Sequence, residues 1–63
     1  MTGKIIFYCF IEDTRTDFIE YFDSKEEAFN YIHGCINFMK EKQIKYSRAR
    51  LYNKENPMED IPF

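Results

Sequence analysis

Residues 4–11, Lys-Ile-Ile-Phe-Tyr-Cys-Phe-Ile, constrain the fold of this chain more than any other stretch. After Lys4 every side chain is apolar or aromatic, and β-formers dominate, so the segment reads as a strand without a polar face. A strand of this kind has to be central, with neighbours on both edges and at least one face covered. Few residues are left to supply those neighbours. A chain of 63 residues buries only about 60% of its unfolded surface, so each element must contribute to one small core. Seven Phe and five Tyr suit that task, because each aromatic ring buries a large area.

The neighbours can be read from the rest of the chain. Glu12 to Thr16 is a polar connection without the Asn-Gly or Asp-Gly of a two-residue turn, which predicts a longer hairpin loop. Asp17 to Phe22 is a second strand, placed at an edge by the interruption at Glu20. Phe18 and Phe22 alternate with Ile19 and Tyr21, so this pattern leaves open which side meets the core. Ser24 and Glu27 have the spacing of a capping box, and the early glutamates suit the positive end of a helix dipole. Ala28, Tyr31, Ile32, Cys35, Phe38 and Met39 then recur at three and four residues, predicting an amphipathic helix to about Lys42. Gly34 falls on its outer arc at a cost of about 1 kcal/mol relative to Ala, and a close partner contact there is one reading of it. Ile44 to Tyr52 is a third strand. The expected fold is α+β in the order β-β-α-β: a three-stranded antiparallel sheet, order 2-1-3, with one helix packed on one face. Residues 1–52 form this single domain, and residues 53–63 are expected to be an irregular C-terminal tail.

Chemistry is sparsely represented. The lone histidine, His33, lies on the polar arc of the helix. With Cys35 it offers two metal ligands at i and i+2, which point to different sides, and zinc needs three or four. Glu12, Asp13 and Asp17 lack the spacing and glycine of a calcium loop. Gly3 and Gly34 are the only glycines, so no phosphate-binding loop is expected. No catalytic residue, cofactor or metal is assigned. Cys9 and Cys35 stand outside any C-x-x-C pattern and read as reduced, buried thiols. No signal peptide is evident, and the apolar run at residues 5–11 is too short to span a membrane, so a cytoplasmic protein is expected.

Charge is segregated along the chain. Residues 1–39 carry three basic and seven acidic side chains, whereas residues 40–54 carry six basic and one acidic, and residues 55–63 carry three acidic. The basic segment includes Lys45-Tyr46-Ser47-Arg48-Ala49-Arg50-Leu51-Tyr52. As a regular strand it sets Ser47, Ala49 and Leu51 on one face and Tyr46, Arg48, Arg50 and Tyr52 on the other. Arginine and tyrosine are enriched at binding surfaces. Tyr8, with Ile6 and Phe10, would lie beside this stripe if theirs is the face without a helix. Three fates are open to such a face: cover by the tail through Met58, Ile61 and Phe63, pairing in a homodimer, or binding of a partner. Aromatics beside arginines can also stack and hold single-stranded nucleic acid. The acidic balance and the confinement of basic residues to one segment rank a protein with an acidic surface ahead of nucleic acid.

Two segments resemble a known family. Tyr21-Phe22-Asp23-Ser24-Lys25-Glu26-Glu27-Ala28 looks like the passage from second strand to helix in the small inhibitor of bacterial RNA polymerase made by T-seven-like coliphages. Ser47-Arg48-Ala49-Arg50 looks like that family's third strand, with two arginines one residue apart. The resemblance implies a β-β-α-β module without catalysis that acts in the host cytoplasm on a protein partner, RNA polymerase, through Arg48 and Arg50. Its layout spans residues 4–52, and Pro57 to Phe63 have no counterpart in it.

Overall fold

Strand β1, Ile5–Ile11, is the second of four in an antiparallel sheet. The computed structural model describes residues 3–63. β2 spans Thr16–Phe22, helix α1 Lys25–Glu41 and β3 Tyr46–Asn53; a 3-10 turn at Pro57–Glu59 leads to the short β4, Ile61–Pro62. The strand order is β2-β1-β3-β4, so the expected α+β class with one helix holds, with four strands in place of three. Pairing of β1 with β2 runs without a break from Ile5–Phe22 to Ile11–Thr16. That register settles the ambiguity of β2. Phe18 and Phe22 share the face of Ile5, Cys9 and the helix, while Ile19 and Tyr21 share the opposite face with Tyr8 and Ile6.

Helix α1 begins where its sequence says it should. Ser24 Oγ accepts the Glu27 N–H at 3.2 Å, satisfying one of the donors that a helix leaves unpaired at its start. The helix ends in a Schellman arrangement. Gln43 adopts φ 59°, its N–H donates to the Lys40 carbonyl at 3.2 Å, and the Ile44 N–H donates to the Met39 carbonyl at 2.8 Å. Between these ends Ala28, Ile32 and Met39 are buried against Ile5, Phe7, Cys9, Ala49 and Leu51. The helix packs on β1 and β2, and Tyr31 seats its ring against Phe22 and Phe18 at 5.2 and 6.3 Å between centroids.

The tail is the main departure from expectation. It folds back, but onto the edge of β3 and not across the open face. Ile61 pairs with Leu51, Pro62 pairs with Arg50, and the Phe63 N–H donates to the Ala49 carbonyl at 2.7 Å. Side chains alternate along a strand, so Ile61 and Phe63 fall on the helix side. The Phe63 ring lies edge-on to Phe7 and Phe29, at 6.3 and 6.1 Å. Polar anchors hold the approach: Asn53 Nδ2 donates to Glu59 Oε1 at 2.8 Å, and Lys25 pairs with the same carboxylate oxygen at 3.0 Å. Met58, expected as a plug, is almost fully exposed. The tail therefore adds Ile61 to the helix-side core, and on the other face of the sheet it adds only Pro62, at the rim beside Arg50.

Candidate functional site, the open face of the sheet

The face away from the helix is built from three strands. Ile6, Tyr8 and Phe10 of β1 run along its middle, and Asp17, Ile19 and Tyr21 of β2 flank them on one side. On the other side the regular alternation of β3 fails. Register between β1 and β3 shifts between Tyr8 and Phe10, so that Arg48 and Ala49 together oppose Cys9. Arg48 sits in the bulge with φ 55°, in the left-handed region.

The bulge rearranges the stripe. Beyond it Tyr46 pairs with Ile11 and packs against the helix-side core, while Ser47 pairs with Phe10 on the open face. Tyr46 therefore leaves the expected set, and the surface residues are Arg48, Arg50, Tyr52 and Tyr8. No pattern of alternation could have shown this. The one hint lay in the small residues Ser47 and Ala49 on either side of an arginine, which give a bulge room.

Cations lie over rings on this face. The Arg48 guanidinium sits 4.9 Å from the Phe10 centroid, Arg50 sits 5.9 Å from Tyr52, and Lys54 Nζ sits 5.9 Å from Tyr21. Each such contact contributes about 0.5–1 kcal/mol at an exposed site. Their larger consequence is order, because two long side chains are held above the sheet before anything binds. The Tyr8 hydroxyl donates to Asp17 Oδ1 at 2.7 Å. That carboxylate raises the Tyr8 pKa above its ordinary value, partial burial adds to the rise, and nearby Arg48 opposes it. The face thus has a basic rim on β3, an aromatic centre and one acidic group on β2.

The remaining candidates have structural partners or stand apart. Asp13 accepts the Lys45 N–H at 3.3 Å, and Asp17 is held by Tyr8, so these carboxylates do not converge on one point. His33 is exposed on the helix. No cluster of three or more His, Cys, Asp or Glu suited to a metal lies among the described residues, and no helix there is long and apolar enough to cross a membrane.

Both thiols are free, Cys9 wholly buried and Cys35 partly. Burial, with a smaller contribution from Cys35, pushes the Cys9 thiol from the ordinary 9.0 up to about 11. Burial likewise raises Cys35 and Tyr31. A group whose pKa is raised by folding stabilises the fold fully below its unfolded value and loses that contribution as pH rises through the folded value. The urea midpoint is therefore expected to be flat near pH 8 and to fall between about pH 9 and 11. Cys9→Ala should make that fall shallower; an unchanged midpoint across the window would contradict the assignment.

Comparison with family models, with curated protein sequences and with solved structures finds no match to this chain.

Proposed function

We propose that this chain is a small non-catalytic module that binds a protein partner through the open face of its sheet, with Arg48 and Arg50 as anchors. One observation carries the reading: after the tail has folded, an aromatic surface edged by two ring-stacked arginines still has no cover among the described residues. Contiguous apolar surface with a polar rim is characteristic of interaction sites. Arginine can grip a carboxylate through two parallel hydrogen bonds, which favours a partner with an acidic surface.

Local strain supports the same location. Arg48 holds a backbone conformation that favours glycine, and beside it Ser47 Oγ is buried without a hydrogen-bond partner. Costs of this kind cluster at functional sites, where binding and not stability decides the residue. The resemblance to coliphage inhibitors makes the RNA polymerase of a bacterial host the first partner to try. The test is titration of the chain into purified bacterial RNA polymerase, with promoter-dependent transcription followed in parallel. Saturable binding that lowers transcript yield is expected; no binding at about 10 μM, a Kd worth about 7 kcal/mol, would remove the polymerase from this reading.

A single-stranded nucleic-acid binder using the same rings is the second reading. Asp17, hydrogen-bonded to Tyr8 in the middle of the face, weakens it by setting a negative charge against the phosphates. A homodimer closed through the open face, of a structural or antitoxin-like kind, is the third.

A further inference from the structure

The opposite edge of the molecule carries a second surface, where the margin of the open face meets the flank of the helix. β2 is the long edge strand of the sheet, the other edge being the two-residue β4, and among the described residues nothing pairs with its outer side. Of the six exposed large apolar side chains among the described residues, four border it, two on each side of the sheet: Ile19 at 46% and Tyr21 at 60% on the margin of the open face, and Tyr31 at 41% and Phe38 at 53% on the flank of the helix. Between helix and β2 runs an apolar groove of about 660 Å³, with Phe18, Tyr31, Gly34, Cys35 and Phe38 among its walls. Gly34 now has a place. It lies on the helix flank beside β2, and a Cβ added there would meet nothing within 4 Å.

We infer that a second copy of this chain occupies this edge, with the two β2 strands paired antiparallel and the two helices packed side by side at Gly34. Spacing is the first argument. Strands lie about 4.8 Å apart, and α1 rests over β1 and β2, so its axis stands about 5 Å inside a two-fold at the edge. Two such helices are then about 10 Å apart, at the upper end of the 8–10 Å range of packed helices. A residue without a Cβ at the crossing lets them come closer.

Complementarity is the second argument. In an antiparallel crossing centred on Gly34, position 38 of one helix falls opposite position 30 of the other, and position 37 opposite 31. Phe38 of each copy is thus delivered to Asn30, Tyr31 and Gly34 of the other, which line the groove. On the far side of the sheet, with a two-fold near Ile19, Asp17 comes opposite Tyr21, the ring that carries Lys54. A strip as long as the helix, about 25 Å, and one strand plus one helix row wide buries roughly 600–700 Å² per copy. That lies at the low end for a specific interface. Glu20, half-buried on this edge beside Tyr31, tempers it further, because an inward-facing charge opposes strand pairing. A dimer of micromolar strength is the outcome.

Sedimentation equilibrium of the full chain tests this. The wild type should pass from monomer to dimer between about 10 μM and 1 mM. Gly34→Gln, which improves helix propensity and meets no neighbour within the monomer, should weaken the dimer at least tenfold with an unchanged circular dichroism spectrum. Ile19→Lys, a charge placed on the strand edge, should do the same. Labelling of Cys35 by a small aromatic disulfide gives a second readout. It should slow about tenfold at the higher wild-type concentration and stay fast in Gly34→Gln. A wild type still monomeric at about 1 mM, or a dimer indifferent to both substitutions, overturns the inference.

Discussion

Arg48→Glu combined with Arg50→Glu is expected to weaken binding to the proposed partner by about a thousandfold. A buried arginine anchor is worth about 2 kcal/mol or more, and two of them amount to about three decades in affinity. Charge reversal adds repulsion from an acidic surface to the loss of hydrogen bonds. Both side chains are exposed, so the fold loses only their stacking on Phe10 and Tyr52. Calorimetric titration of wild type and double mutant against the same purified partner reads the difference, with circular dichroism as the control. A loss smaller than about threefold would show that the guanidiniums are bystanders.

Phe7→Ala should largely unfold the protein. Phe7 is completely buried at the centre of β1. Its ring meets Phe18 and Phe63 edge-on, at 6.2 and 6.3 Å. Truncating a buried Phe costs about 3–5 kcal/mol. A chain of this size has in all about 3–9 kcal/mol, at 0.05–0.15 kcal/mol per residue. The far-UV spectrum at 25 °C should lose most of its structured signal, and any remaining urea transition should lose its folded baseline. A cooperative transition shifted by less than about 1 kcal/mol would mean that this core repacks far more easily than its aromatic contacts suggest.

The elements that could be read in the sequence were those fixed by local pattern. The unbroken apolar run at 5–11 had to be central, and it is. The Ser24 cap and the three-and-four spacing from Ala28 to Met39 marked the helix, whose last turn ends one residue before Lys42. Whatever depended on distant parts of the chain stayed hidden. Phe63 reaches the margin of the core, its ring still partly exposed, only because Phe7 and Phe29 leave a place for it, and neither lies near it in sequence. Tyr46 turns inward because an extra residue is accommodated opposite Cys9, a feature of pairing and not of β3 alone. Arg48, Arg50, Tyr52 and Tyr8 do come together. The two arginines, one within the bulge and one just beyond it, both reach the open face, Arg48 over Phe10 and Arg50 over Tyr52.

That irregularity has a consequence for how the protein can change. A left-handed backbone costs a residue with a side chain about 1–2 kcal/mol over glycine, and Arg48 bears it at φ 55°. In a protein with so small a margin the sum is a sizeable share of the whole. Selection acting on heat resistance alone would therefore exchange Arg48 for Gly or Asn, and selection acting on partner binding would hold the arginine. On the proposed function, position 48 is where the two pressures pull in opposite directions.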